Sequence, residues 1–172
     1  MKLAQSTLLA VVLALLPGVL HAQGTPAPSN AEIYFIAPED NETAYGSIRV
    51  RFGLNHMGVT HAGDSFPNSG HHHLLIDVDE LPAADEPIPL DKQHLHFGAG
   101  ETEAEIDLPP GKHTLQLVLG DANHFMFKPP VVSKKITVWI RSDRREDRRS
   151  PRRYQRRRRH RGSGGYRFDM DF

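Results

Sequence analysis

Ser69-Gly70-His71-His72-His73-Leu74-Leu75-Ile76-Asp77-Val78-Asp79 runs three consecutive imidazoles straight into an aliphatic stretch. Side chains alternate across a β-strand, so His72, Leu74, Ile76 and Val78 fall on one face and His71, His73, Leu75 and Asp77 on the other. The aliphatic face reads as core. His71 and His73 are then expected to look away from it, and His72 is expected to be a buried, neutral ring bonded to backbone.

Working outward, the same alternation recurs. Residues 33–36 are β-branched and aromatic and are stopped by Pro38 and the polar residues 39–43, while residues 47–54 set Ile48, Val50, Phe52 and Leu54 against Ser47, Arg49, Arg51 and Gly53. Residues 58–70 and 81–89 are dense in Gly, Pro, Asn and Asp and read as loops. Further strand patterns follow at 93–97, 102–108, 112–119 and 132–140, and no amphipathic helix period precedes residue 141. The expected fold is all-β: a single antiparallel immunoglobulin-like β-sandwich over residues 31–140, with a disordered basic C-terminal tail. Pro109-Pro110-Gly111-Lys112-His113 is similar to the tyrosine corner of such sandwiches, with His113 in the tyrosine's place.

Compartment and charge are read from the two ends. Residues 1–22 carry Lys2, an aliphatic run from Leu8 to Leu16, the break Pro17-Gly18 and a small residue at Ala22, the pattern of a cleaved secretory signal peptide. The run is shorter than the roughly 20 residues of a membrane span, so the mature protein is expected to lack a transmembrane segment and to be periplasmic or secreted. Residues 23–30 read as a flexible lead-in. The chain has no cysteine, which excludes disulfides and thiolate ligands.

Residues 23–140 hold sixteen acids against seven bases, and residues 141–172 five against thirteen, so a formal net charge of zero hides an acidic body and a basic tail. The doublets Arg144-Arg145, Arg148-Arg149, Arg152-Arg153 and Arg156-Arg157 point to an anionic cell-envelope component as the partner of residues 141–161; behind a leader, nucleic acid is not the expected partner. Tyr166, Phe168, Met170 and Phe172 alternate with charges, a strand pattern suited to adding to a sheet edge.

The pieces His71-His72-His73-Leu74-Leu75-Ile76-Asp77, His94-Leu95-His96-Phe97-Gly98, Pro110-Gly111-Lys112-His113-Thr114-Leu115-Gln116-Leu117, Gly120-Asp121-Ala122-Asn123-His124 and Pro129-Pro130-Val131-Val132-Ser133 resemble the family catalogued as domain of unknown function 4399, over roughly residues 45–140. The resemblance implies a small exported domain and supplies neither activity nor ligand. Phe127 and Lys128 depart from its pattern, which carries a second histidine and an aspartate there, and this sets His124 apart from the candidate ligands.

Nine of the eleven histidines lie in the body. Alternate residues of a strand stand about 6.6 Å apart on one face, close enough for two imidazoles to converge on one ion, so the two His-x-His pairs nominate His71, His73, His94 and His96 as a metal cluster. Imidazole without thiolate suits copper or zinc, and copper leads on intrinsic affinity. Asp77, Asp79 and Glu80 stand near enough in sequence to orient such ligands. The chain thus reads as an exported binding protein with a histidine metal site. The competing reading is a cell-envelope interaction protein acting through its basic tail, its histidines purely structural. A small metalloenzyme is a third reading, although no Gly-x-Ser-x-Gly, His-Glu-x-x-His or Gly-rich phosphate loop occurs.

Overall fold

The computed structural model describes residues 24–142. The signal peptide expected at 1–22 and all of the tail beyond Ser142 lie outside these residues. The order is β1 (Glu32–Ala37), β2 (Glu42–Tyr45), β3 (Ile48–Asn55), β4 (Gly58–Val59), β5 (Ser69–Ile76), β6 (His94–Phe97), β7 (Glu103–Ile106), β8 (Gly111–Gly120) and β9 (Ile136–Arg141). One sheet runs β1-β3-β7; the other runs β2-β9-β8-β5, with β4 and β6 both paired to β5. The chain is an all-β sandwich.

Its interior follows the alternation. Ile48, Val50 and Phe52 of β3 point inward while Arg49 and Arg51 stay exposed, and Leu115, Leu117 and Leu119 of β8 meet Leu74 and Ile76 of β5 in the same core. At roughly 25 cal/mol per Å² of apolar surface removed from water, this interior is the main favourable term for the fold. His72 joins it as expected: its ring lies 4.9 Å from that of Phe52, and its Nδ1–H donates to the Glu101 carbonyl at 3.1 Å. His113 also fulfils the corner role, with Nε2–H donating to the Pro109 carbonyl four residues upstream at 2.8 Å.

Four features depart from the sequence reading. Residues 42–45, which begin inside the polar stop read over 39–43, form β2, which pairs parallel with β9 because Asp40 Oδ1 accepts the Thr137 N–H and the Asn41 N–H donates to the Thr137 carbonyl. Within the 58–70 loop, Gly58 and Val59 pair parallel with the start of β5. The strand expected over 132–140 is interrupted: Val131 to Ser133 add to β8, then Ser133 Oγ accepts the Leu117 N–H and donates to the Lys134 carbonyl, and regular pairing resumes at Ile136. The lead-in is tied down, since Ala27 N–H donates to the Lys128 carbonyl at 3.0 Å and Lys128 N–H to the Thr25 carbonyl at 2.9 Å. A segment whose amides find such partners loses its freedom whatever its composition.

The largest correction concerns the face away from the sandwich interior. Leu75 and Val118 on that face are covered by Ile88, from the 81–89 loop, and by Met126, forming a second small core. Every residue of β5 after Ser69 is therefore buried, His71 and His73 included. Ile88 is 2% exposed. Ile88→Ala is expected to lower the unfolding free energy by about 2–5 kcal/mol. Urea denaturation checks this, and a loss below about 0.5 kcal/mol would return that face to solvent.

Candidate metal centre

Three elements bring imidazoles together at one end of the second sheet. His71 and His73 come from β5, two residues apart and on the same face; His96 sits opposite His73 across the β5–β6 ladder. The fourth ring, His124, comes from the turn after β8, which arrives there because Gly120 pairs with His71. The His124 N–H donates to the Asp121 carbonyl, and the Ile88 N–H donates to the His124 carbonyl at 2.7 Å, holding His124 in the left-handed region at φ 68°. The 60–64 loop laces the rim, with Ala62 N–H donating to the Gly98 carbonyl and Gly63 N–H to the Ala122 carbonyl.

The rings meet through their Nε2 atoms. His71 and His73 are 3.0 Å apart there, and His96 and His124 3.3 Å. One ligand nitrogen each of His71, His73 and His96 lies within 4.8 Å of the others, and the His124 ring is centred 4.9 Å from His71 and 4.8 Å from His96. An ion with nitrogen bonds of about 2.0–2.1 Å sets neighbouring ligand nitrogens about 3.3 Å apart in a tetrahedron and about 2.9 Å apart in a square. The two close pairs match that range. Two glycines clear the space: a Cβ on Gly120 would stand 2.8 Å from His73 Nε2 and 3.3 Å from His71 Nε2, and one on Gly98 would stand 2.5 Å from His96 Nε2.

Electrostatics keep His71, His73 and His96 in the neutral form, the one in which imidazole offers a lone pair. Burial pushes His71 down to about 4, helped by the neighbouring His124 and His96 rings and opposed by Asp121. Burial with repulsion from His71, His96 and His124 pushes His73 down to about 2. His96, exposed at the rim, is lowered by its partial desolvation and by His124. Neutral imidazole is the ligand form, so these rings need no deprotonation at neutral pH. Among the described residues, His71 Nδ1, His72 Nε2 and His73 Nδ1 find no hydrogen-bond partner.

Of the residues nominated from the sequence, His71, His73 and His96 come together. His94 shares their face, but its Nδ1 is engaged by Asp91 Oδ1 at 2.8 Å, an acceptor that also takes the Gln93 and His94 amides. His124, set aside in the sequence reading, stands in the cluster. Its signal was the Asp121-Ala122-Asn123-His124 turn, which gains meaning only once β8 is known to end against His71. Of the carboxylates expected to orient the ligands, Asp77 does something else: it takes the Thr114 N–H and the His113 Nδ1–H, at 2.8 and 2.7 Å. His61 pairs loosely with Asp64 at 3.6 Å, outside the cluster.

The family model described as Domain of unknown function (DUF4399) matches residues 50–141. The chain belongs to the DUF4399 family. The DUF4399 match takes in all four clustered histidines, while β1 and β2 precede it. No curated protein matches the chain. Among solved structures, the fibronectin(III)-like modules of Clostridium thermocellum CbhA are similar with TM-score 0.39 and 13% identity, over 65% of this chain and 99% of theirs. The endo-beta-1,4-mannanase from Thermotoga petrophila is similar with TM-score 0.38 and 14% identity, over 66% of this chain and only 20% of its own.

The depressed histidines make a pH prediction. Below the unfolded value of 6.5 the unfolded chain takes up protons that His71 and His73 refuse, so stability present above pH 6.5 is lost as pH falls towards about 4. Each ring contributes up to about 1.4 kcal/mol per pH unit. His113 works the other way: burial opposes its charge, but Asp77 and the Pro109 carbonyl outweigh that and raise it, adding stability below pH 6.5 that is lost as pH rises through the raised value. Two rings outweigh one. The metal-free protein is expected to melt at progressively lower temperature from pH 7 to pH 5, and His113→Ala to steepen the decline; a flat profile by circular dichroism contradicts the burial of His71 and His73.

Proposed function

We propose that this protein is an exported, periplasmic or secreted binding protein that holds one divalent transition ion, copper or zinc, between His71, His73, His96 and His124. The observation that carries the reading is the convergence of imidazole nitrogens, two of them 3.0 Å apart at wholly buried rings. Like rings packed this way repel one another when protonated and share at most one hydrogen bond when neutral; an ion at their centre uses every inward lone pair. All donors are imidazole, neither carboxylate nor thiolate, which suits Cu²⁺ and Zn²⁺ over Mg²⁺ and Ca²⁺ and favours copper where both are present. Four imidazoles fill a tetrahedral shell, which suits holding an ion more than turning over a substrate on it. Export rests on the leader pattern, and the anionic envelope partner on the charge contrast between residues 23–140 and the arginine doublets.

The double change His71→Ala with His73→Ala removes two fully buried rings and so disturbs packing as well as binding. His96 and His124 reach the rim and make cleaner probes. His124→Ala is expected to weaken Cu²⁺ and Zn²⁺ binding at least about 10-fold at pH 7.5, in line with the loss of one ligand of four, while His94→Ala leaves the isotherm unchanged. Titration calorimetry decides it: a His124→Ala isotherm identical to wild type sinks the site and leaves the histidines structural.

A further inference from the structure

A site made of four neutral imidazoles brings the full charge of its ion to a place where two of the rings are wholly buried. Charge without compensation is strongly disfavoured in such surroundings. A buried carboxylate is the next residue along the chain from the glycine packed against His73 Nε2 and His71 Nε2. Asp121 follows directly on Gly120, the residue paired with His71, and is only 6% exposed. Its Oδ1 accepts the Asn123 N–H at 2.9 Å and the Phe125 N–H at 3.0 Å, and its Oδ2 accepts the Thr25 hydroxyl at 2.6 Å. These bonds fix the carboxylate and shape the turn that carries His124. None of them goes to a histidine. The charge nonetheless acts on His71 through space. Glu101 acts on His96 in the same sense, but it is exposed and screened by solvent.

Resting on the metal reading above, we propose that Asp121 is the built-in counter-charge of the site and makes it selective for divalent over monovalent ions. It is a positioning residue that never touches the ion. Its two tasks can be separated. If Asp121 only clamps the turn, losing it weakens every ion alike, because the geometry is shared. If its charge matters, the loss scales with the charge on the ion: a factor f for a monovalent ion becomes f squared for a divalent one.

Zn²⁺ and Ag⁺ serve as redox-inert probes, with Ag⁺ standing in for Cu⁺. Asp121→Asn retains Oδ1 as the acceptor for both turn amides and removes the charge. Asp121→Ser supplies a hydroxyl acceptor without charge and stands in if the first variant does not fold. Calorimetry on the leaderless full chain is expected to show Zn²⁺ binding weakened roughly 10- to 100-fold and Ag⁺ binding roughly 3- to 10-fold, the square root of that factor. Thr25→Val, which keeps the carboxylate, is expected to keep the wild-type ratio of Zn²⁺ to Ag⁺ affinity. Equal losses for the two ions, no loss in either, or a ratio altered by Thr25→Val would overturn the proposal while leaving the metal site standing. Wild-type protein that binds neither ion overturns the metal reading itself, and this inference with it.

Discussion

Three consecutive imidazoles in a strand buried on both faces impose the condition that organises this molecule. A charged histidine in that position costs too much free energy, so the rings stay neutral, and every buried ring nitrogen left without a partner adds a cost of its own. On the inner face His72 satisfies Nδ1 through the Glu101 carbonyl, while its Nε2 has no hydrogen-bond partner among the described residues. On the outer face His71 and His73 meet each other and the two rings above them through Nε2 and ring contacts, and their Nδ1 atoms have no hydrogen-bond partner among the described residues. The second small core around Leu75, Val118, Ile88 and Met126 exists on that face because the 81–89 loop and the chain after β8 fold over it. Fold and site therefore share one cause. The same covering that removes water from β5 also holds the convergent set of nitrogens, two of them on buried rings.

The architecture was largely legible in the sequence. The period-two pattern of Ile48, Val50 and Phe52, or of Leu115, Leu117 and Leu119, is a local property that survives into the structure because each strand has one face on the shared core. What failed to show was whatever depends on pairing between distant segments. Glu42–Tyr45 is too short and polar to announce a strand, and its hydrogen bonds come from β9, almost a hundred residues on. The covering of that face did not show either: Ile88 stands in a stretch otherwise rich in Pro and acid, yet with Met126 it closes over Leu75 and Val118.

The site was legible in the same proportion. Two His-x-His pairs on neighbouring strands are a spacing argument, and β5 and β6 do pair with His73 opposite His96. Spacing along a strand, however, gives no account of which ring a nearby side chain captures. Asp91 takes His94, three residues on, through a local turn that also binds two backbone amides. His124 joins these rings from a turn whose position is set by the β5–β8 register. Strands thus supply the floor and a turn closes it, a common division between rigid scaffold and functional loop.

The central claim is that the nitrogens of His71, His73, His96 and His124 surround one ion, and the local structure of that ion reports on it directly. X-ray absorption at the copper or zinc edge of protein loaded with one equivalent is the measurement. The account predicts a shell of nitrogen at about 2.0–2.1 Å, with the outer-shell scattering of several imidazole rings that diminishes in His124→Ala. A shell of oxygen alone, or one with a single imidazole, would contradict it.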